Sequence, residues 1–194
     1  MKRCRIVLLL LLSFTLLRSA PSFGDTCPSR GFVQIGNSGF YDYIANGEPA
    51  STECWSPVRV TVVTGQTTCG PFSPTHNAFE FNQLNSGIIH QQFTVLPDFT
   101  SQQFSLTFMF DFTDPLFHGG QNYLIAEVFD LTNGATLGFF RHDGTNGNAF
   151  CQRVDMNITA DLAGHPIYVR FISQKRDAQS LARVWGVAFF QGPL

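Results

Sequence analysis

The chain has 194 residues, a formal charge of −2, and 21 Phe against 2 Trp and 4 Tyr. Twelve Lys and Arg against fourteen Asp and Glu leave no surplus of positive charge, so a nucleic-acid or anionic-membrane surface is excluded as a partner. A length near 200 residues fits one domain with a sizeable core.

At the N-terminus Lys2, Arg3 and Arg5 precede an almost unbroken apolar run over residues 6–17. Its twelve residues are too few to cross a bilayer as a helix, which takes about 20, and match a signal peptide. Ser22 and Gly24 place small residues at −3 and −1 for a cut before Asp25. The expected division is therefore a leader over 1–24 and a single β-sandwich domain over 25–194, secreted, extracellular or periplasmic, with no membrane association after cleavage. Losing Lys2, Arg3, Arg5 and Arg18 takes the formal charge to −6 and leaves Lys175 as the only lysine. It also removes Cys4. The remaining four, Cys27, Cys54, Cys69 and Cys151, are an even count in an exported chain, which reads as two disulfides with three pairings open. Asn157-Ile158-Thr159 is an N-glycosylation sequon in a eukaryotic source.

Residues 25–50 are irregular, with Gly31, Gly36, Gly39 and Gly47 spread through them. Val58 to Thr64 alternates Val58, Val60 and Val62 against Arg59 and Thr61, which predicts one strand. Phe79 and Phe81 flank Glu80, and Ile89, Gln91, Phe93 and Val95 line one side of the next run. The clearest strand is Gln103 to Phe112, with Phe104, Leu106, Phe108, Phe110 and Phe112 on one face and Ser105, Thr107 and Asp111 on the other. Tyr123 to Asp130 is apolar on both faces, as a central strand would be. Asn133-Gly134, whose residues tolerate positive φ, then predicts a hairpin into Leu137–Arg141. Thr159 to Ala163 and Asp177 to Arg183 each have the composition of a single helical turn. Ile167, Val169 and Phe171 alternate with Tyr168 and Arg170, and Ala182 to Phe190 is the last strand. About eight short strands separated by Gly, Asn, Pro and Asp turns predict an all-β antiparallel sandwich or barrel.

The order of these segments resembles the galactose-binding-domain-like jelly roll, the fold of many carbohydrate-binding modules. The resemblance rests on Asn37-Ser38-Gly39-Phe40 before Trp55, and on the two strands running from Ile88 to Pro97 and from Phe104 to Phe110. Glu127-Val128-Phe129-Asp130 with Gly134, and the run from Thr159 to Phe171, extend it over most of the chain after the leader. The resemblance implies a jelly-roll topology and carbohydrate binding. It also implies a structural calcium, held in the family by an acidic residue after the early Phe and by Asp-Asp-Val near the last strand. This chain has Tyr41 and Trp185-Gly186-Val187 at those places, a departure from the calcium pattern, and no cofactor is expected.

Sugars are gripped by flat rings that cover the apolar face of a pyranose and by polar groups on its hydroxyl edge. The candidate ligand residues are Trp55 as a stacking platform, His76 and Asn77 in one loop, His118 and Tyr123 in a second, and Arg141, His142 and Asp143 with Asn146 in a third; Trp185 reads as core. No Gly-x-Ser-x-Gly elbow, P-loop or His-Glu-x-x-His helix is present, and no Cys-x-x-Cys pair marks a metal site. No catalytic residue and no metal ligand is therefore assigned. Glu80, Asp111, Glu127 and Asp130 lie on strands, and two of them facing one cleft would allow glycoside hydrolysis. The expected function is a secreted noncatalytic carbohydrate-binding or lectin-like module. The alternatives are a structural or adhesive extracellular protein with protein partners and, below that, a glycoside hydrolase.

Overall fold

Phenylalanine at every second position gives a strand one greasy face that must be covered by a second sheet, and that requirement sets the architecture. The computed structural model describes residues 55–64, 77–81, 84–95, 97 and 102–191. The leader, Cys27, Cys54, Cys69, Tyr41 and His76 lie outside the described residues. The strands are β1 Ser56–Val58, β2 Thr61–Thr64, β3 Asn77–Glu80, β4 Asn85–Thr94, β5 Gln103–Thr113, β6 Tyr123–Asp130, β7 Ala135–Asp143, β8 Ala149–Thr159, β9 Pro166–Lys175 and β10 Leu181–Gln191. They form two five-stranded sheets, β1-β4-β9-β6-β7 (sheet 1) and β2-β3-β10-β5-β8 (sheet 2). Every pairing is antiparallel, and the fold is an antiparallel β-sandwich of jelly-roll type.

The core lies between the sheets. Phe104, Leu106, Phe108, Phe110 and Phe112 of β5 are all buried, as are Ile89 and Phe93 of β4, Leu124, Ala126 and Val128 of β6, and Ile167, Val169 and Phe171 of β9. Phe108 meets Phe171 of the opposite sheet edge-on at 5.0 Å, and within sheet 2 Phe104 stacks on Phe189 at 5.7 Å. Each fully buried Phe contributes about 1.5–3 kcal/mol of transfer free energy.

Three sequence expectations are corrected. The run from Val58 to Thr64 is two strands in different sheets, because Arg59 has a left-handed φ of 57° that turns the chain from one layer to the other. The proposed helical turns are not helical: Thr159 ends β8 and residues 160–164 bend and turn, while residues 176–179 form a bend before Leu181 begins β10. β8 was not anticipated at all. Its alternation is broken by a bulge at Cys151 (φ 55°), whose N–H donates to the Asp111 carboxylate at 2.7 Å, and Phe150 is half exposed. A second bulge explains why β10 does not alternate cleanly. Gly186, at φ 58°, shifts the register between Trp185 and Ala188, so inward positions change from Ala182 and Val184 to Val187 and Phe189.

Candidate functional site

Sheet 1 has an outward face that combines rings with hydrogen-bonding groups. On β6 the buried residues are Leu124, Ala126 and Val128, so Tyr123, Ile125, Glu127 and Phe129 point away from the core. The register carries this face across four strands: His90 of β4 opposite Arg170 of β9, Arg170 opposite Glu127 of β6, and Glu127 opposite Phe139 of β7. In the next row Gln92 lies opposite Tyr168, and Tyr168 opposite Phe129.

The members of this patch hold one another in place. Arg170 Nε donates to Glu127 Oε2 at 2.5 Å, and the guanidinium lies 4.8 Å from the centre of the Phe129 ring. Tyr168 packs against His90 at 5.0 Å and Phe129 at 6.2 Å. Burial, and then the nearby Arg170 charge, hold the His90 imidazole below its ordinary pKa. A neutral ring that both donates and accepts results near pH 7, the pairing that hydroxyl recognition needs. Burial pushes the Tyr168 phenol up, so it remains a neutral hydroxyl. Phe139, on the edge strand, is 57% exposed. Cross-strand pairing accounts for the Arg170–Glu127 and Tyr168–Phe129 neighbours as sheet stabilisers. It does not account for an exposed ring on Phe139.

The same face continues toward one end of the sandwich, where two anticipated residues lie. The Arg141 guanidinium stacks over the Tyr123 ring at 4.6 Å from its centre, while Arg141 Nε donates to Asp143 Oδ2 at 3.1 Å and Nη2 to the Gly120 carbonyl at 2.9 Å. Asp143 serves the fold. It caps the 3-10 turn at residues 144–146, and the hydrogen bond from Thr145, ahead of the one from Arg141, holds its carboxyl below the ordinary value against the opposing effect of burial. Asn146 closes that turn by accepting from the Asp143 backbone N–H at 3.2 Å.

Other anticipated ligand residues belong elsewhere. Trp55 is corrected to a core residue: it is 4% exposed and meets Phe79 edge-on at 5.5 Å and Phe171 at 6.1 Å. His142 is also corrected. It pairs opposite the buried Leu124, so its ring faces Phe110 at 5.1 Å and Phe112 at 4.9 Å rather than solvent. Trp185 is buried, as read. His118 turns toward Asp114 and Asp177. Asn77 is the first residue of β3, opposite Thr64, and His76 lies outside the described residues.

The four strand acids do not all lie on one face. Glu127 faces outward from sheet 1, whereas Glu80 and Asp111 lie on either side of Arg183 in sheet 2, and Asp130 bonds His165 at 2.9 Å. Trp185, Gly186 and Val187 offer no side-chain oxygen, and these last-strand positions do not fit the calcium that the family pattern implies. The sequence reading missed His90, Phe129, Phe139, Tyr168 and Arg170 as a group. The alternation of Tyr168 and Arg170 against buried neighbours was visible, but their cross-strand partners come only from the register.

No protein-family model and no curated protein matches the sequence. Solved structures do match in fold. The enzymatically active domain of tailspike protein 4 of bacteriophage CBA120 superposes with a TM-score of 0.56 at 13% identity over 83% of this chain, which spans only 22% of that protein. TmCBM61, solved in complex with β-1,4-galactotriose, gives 0.53 at 16% identity, covering 84% of this chain and all of that one. A Stig cyclase, Fisc from Fischerella sp. TAU, gives 0.53 at 12% identity over 84% of this chain and 98% of that one. At these identities the likeness is one of fold: the chain shares the β-sandwich of carbohydrate-binding modules.

Proposed function

We propose that this chain is an exported, noncatalytic carbohydrate-binding module of the galactose-binding-domain-like kind, which binds a glycan along the outward face of sheet 1. The observation that carries the proposal is the exposed Phe139 ring opposite Glu127, in a row that continues through Arg170 to His90, with Tyr168 packed between His90 and Phe129. The ring covers the apolar face of one sugar while Glu127 on the next strand meets its hydroxyls, and Arg170 and His90, about 10 and 14 Å from Phe139 at strand spacing, meet those of further sugars. Tyr123 and Arg141 lie at the far end, six residues from Phe129 along β6, which at strand rise is about 20 Å, so an oligosaccharide is favoured over a single sugar. In this reading the chain is exported after a cut before Asp25, and the four remaining cysteines, Cys27, Cys54, Cys69 and Cys151, form two disulfides in an oxidising compartment. Asn157 faces outward on β8 and is exposed, as a glycosylation site would be.

β-1,4-Galactotriose is the first ligand to test, because a module of the same fold binds it. Calorimetry of residues 25–194 against a panel of oligosaccharides should show micromolar-to-millimolar binding that weakens in Phe139→Ala and Tyr168→Ala. A silent panel, or binding indifferent to both substitutions, overturns the proposal. The adhesive alternative has one observation behind it: Leu116 and Phe117 are 52% and 86% exposed at a loop tip. A silent glycan panel together with specific capture of a protein through that tip would favour it.

A further inference from the structure

At the end of the sandwich that bears Tyr123, two carboxylates converge on one imidazole nitrogen. His118 Nδ1 lies 3.0 Å from Asp114 Oδ1 and 3.3 Å from Asp177 Oδ2, and all three atoms fall within 4.8 Å of one another. They come from two separate loops, β5–β6 and β9–β10. The side chains of Asp114, Asp177 and His118 are 2%, 14% and 26% exposed, so this is not a solvated acidic patch.

The orientation of each carboxylate is the informative detail. Asp114 has Oδ2 fixed by the Gly119 N–H at 3.1 Å, and Asp177 has Oδ1 fixed by the N–H groups of Gln179 at 2.7 Å and Ser180 at 2.8 Å. In both cases the other oxygen is turned to His118, and Asp177 Oδ2 also accepts from Ser180 Oγ at 2.5 Å. Asn122, fully buried, donates to Asp114 Oδ1 at 3.0 Å and to Ser180 Oγ at 2.8 Å, while its own oxygen accepts from the Arg176 N–H at 2.8 Å. Outer partners that fix ligand orientation in this way are what a metal centre requires. A tetrahedral ion with bonds of about 2.1 Å sets its ligands about 3.4 Å apart, close to the two spacings observed. One imidazole proton cannot serve two carboxylates equally, whereas a dication bound to both carboxylates and a neutral imidazole leaves the site uncharged.

The same molecule contains a contrasting case. His165 Nδ1 bonds Asp130 Oδ2 at 2.9 Å, and the other Asp130 oxygen accepts from the Thr132 N–H at 2.8 Å. This second His–Asp pair has one carboxylate, and an imidazole proton satisfies it.

We propose that Asp114, His118 and Asp177 form a binding site for a divalent transition ion of the zinc class, which ties the β5–β6 loop to the β9–β10 loop. The imidazole in the donor set selects such an ion over calcium or magnesium, which prefer all-oxygen sites. The site differs in place and chemistry from the calcium position of the family pattern. Sequence spacing could not show it, since Asp177 follows His118 by 59 positions.

The test uses metal-stripped protein of residues 25–194, with Zn(II) and Co(II) as probes. One Zn(II) per chain should bind, raise Tm by about 5–10 °C at a hundredfold excess over Kd, and displace Co(II) with loss of its visible absorption. Ca(II) and Mg(II) should leave Tm unchanged. Asp177→Asn and His118→Ala should lower the affinity by roughly tenfold or more, while His165→Ala leaves it as in the unsubstituted chain. Asp177 is the less buried carboxylate, so its variant decides if His118→Ala proves unfolded by near-UV circular dichroism. No stoichiometric Zn(II) binding by the unsubstituted chain overturns the proposal. So does equal binding by Asp177→Asn, which would leave the three side chains as a hydrogen-bonded cluster of the fold.

Discussion

Replacing one ring at a time separates the folding role of aromatics from a binding role. Trp55 is 4% exposed and wedged between Phe79 and Phe171. Trp55→Ala therefore loses its transfer free energy and leaves a cavity, about 3–5 kcal/mol. For a domain of this size that corresponds to a fall in Tm of roughly 6–20 °C. Phe139 is 57% exposed. Less than half of its surface leaves water on folding, so Phe139→Ala costs about 1 kcal/mol or less of stability. If the ring stacks on a sugar, the same truncation removes about 1.4 kcal/mol of binding, a tenfold rise in Kd. Differential scanning fluorimetry and calorimetry on the two variants, with β-1,4-galactotriose or whichever panel member binds best, read both quantities. Phe139→Ala should bind weakly and melt normally, and a milder Trp55→Phe should melt early and bind normally. The assignment of Phe139 to a ligand surface fails if its substitution lowers Tm as much as Trp55→Ala, or leaves Kd unchanged where the unsubstituted chain binds sugar.

Gly144→Ala should destabilise the fold by about 1–3 kcal/mol or more, read by urea unfolding, because a Cβ there would stand 2.2 Å from Asp114 Oδ2 and 2.8 Å from the Gly119 carbonyl. Stability should decline slightly as pH falls below about 6.5, where the unfolded chain protonates His90 before the folded one does, and fall more steeply below about pH 4, with the urea midpoint as readout. Burial opposes ionisation of Asp114, Asp130 and Asp177, yet hydrogen bonds from His118, Thr132 and Ser180 respectively outweigh it and hold each carboxyl below 3.8. A depressed carboxylate pKa stabilises the fold above the unfolded value of about 3.9, and that stability is lost as pH falls through the folded value. Asp177→Asn should therefore make the acid limb shallower. Arg170→Ala and Glu127→Gln should show a coupling of about 1 kcal/mol or less in stability, since Arg170 is 34% exposed. Each alone should weaken glycan binding more than it lowers Tm, and the reverse order would assign the pair to the fold.

The fold was legible wherever burial follows a two-residue period. β5 could be read directly because Phe104 to Phe112 places an apolar residue at every inward position, and β9 because Ile167, Val169 and Phe171 do the same. Reading failed where the backbone breaks the period. Arg59 switches sheets, Cys151 bulges under the pull of the Asp111 carboxylate, and Gly186 moves β10 from even to odd inward positions. None of these is a property of composition. The candidate surface was less legible. Trp55 has the chemistry of a platform, but local sequence does not say which side of a short strand faces the second sheet. Tyr168, Arg170 and Glu127 were each visible as residues opposite buried neighbours. Their union into one patch depends on register between β4, β9, β6 and β7, of which only β6 and β7 are consecutive in the chain.

The two broad surfaces of the sandwich are not equivalent, and this narrows where a ligand can lie. On sheet 2 the outward-facing Ser105 and Asp111 are fully buried and Trp185 is 4% exposed, and solvent-exposed rings and acids such as Phe150 and Asp155 are confined to the edge strand β8. On sheet 1 the outward residues remain half-buried to exposed from Tyr123 to Phe129 and from Pro166 to Arg170. The metal-ligand cluster and this face share β6. Asn122, fixed between Asp114, Ser180 and the Arg176 amide, is followed directly by Tyr123, and the Gly120 carbonyl of the same loop accepts from Arg141. Whatever fixes the β5–β6 loop therefore fixes the Tyr123–Arg141 end of the surface. Phe139, Glu127 and Arg170 are held instead by the sheet register. The face thus has one end set by strands and one set by a loop, and a ligand long enough to reach both would sense the state of the Asp114–His118–Asp177 cluster, whereas a short one bound at Phe139 would not.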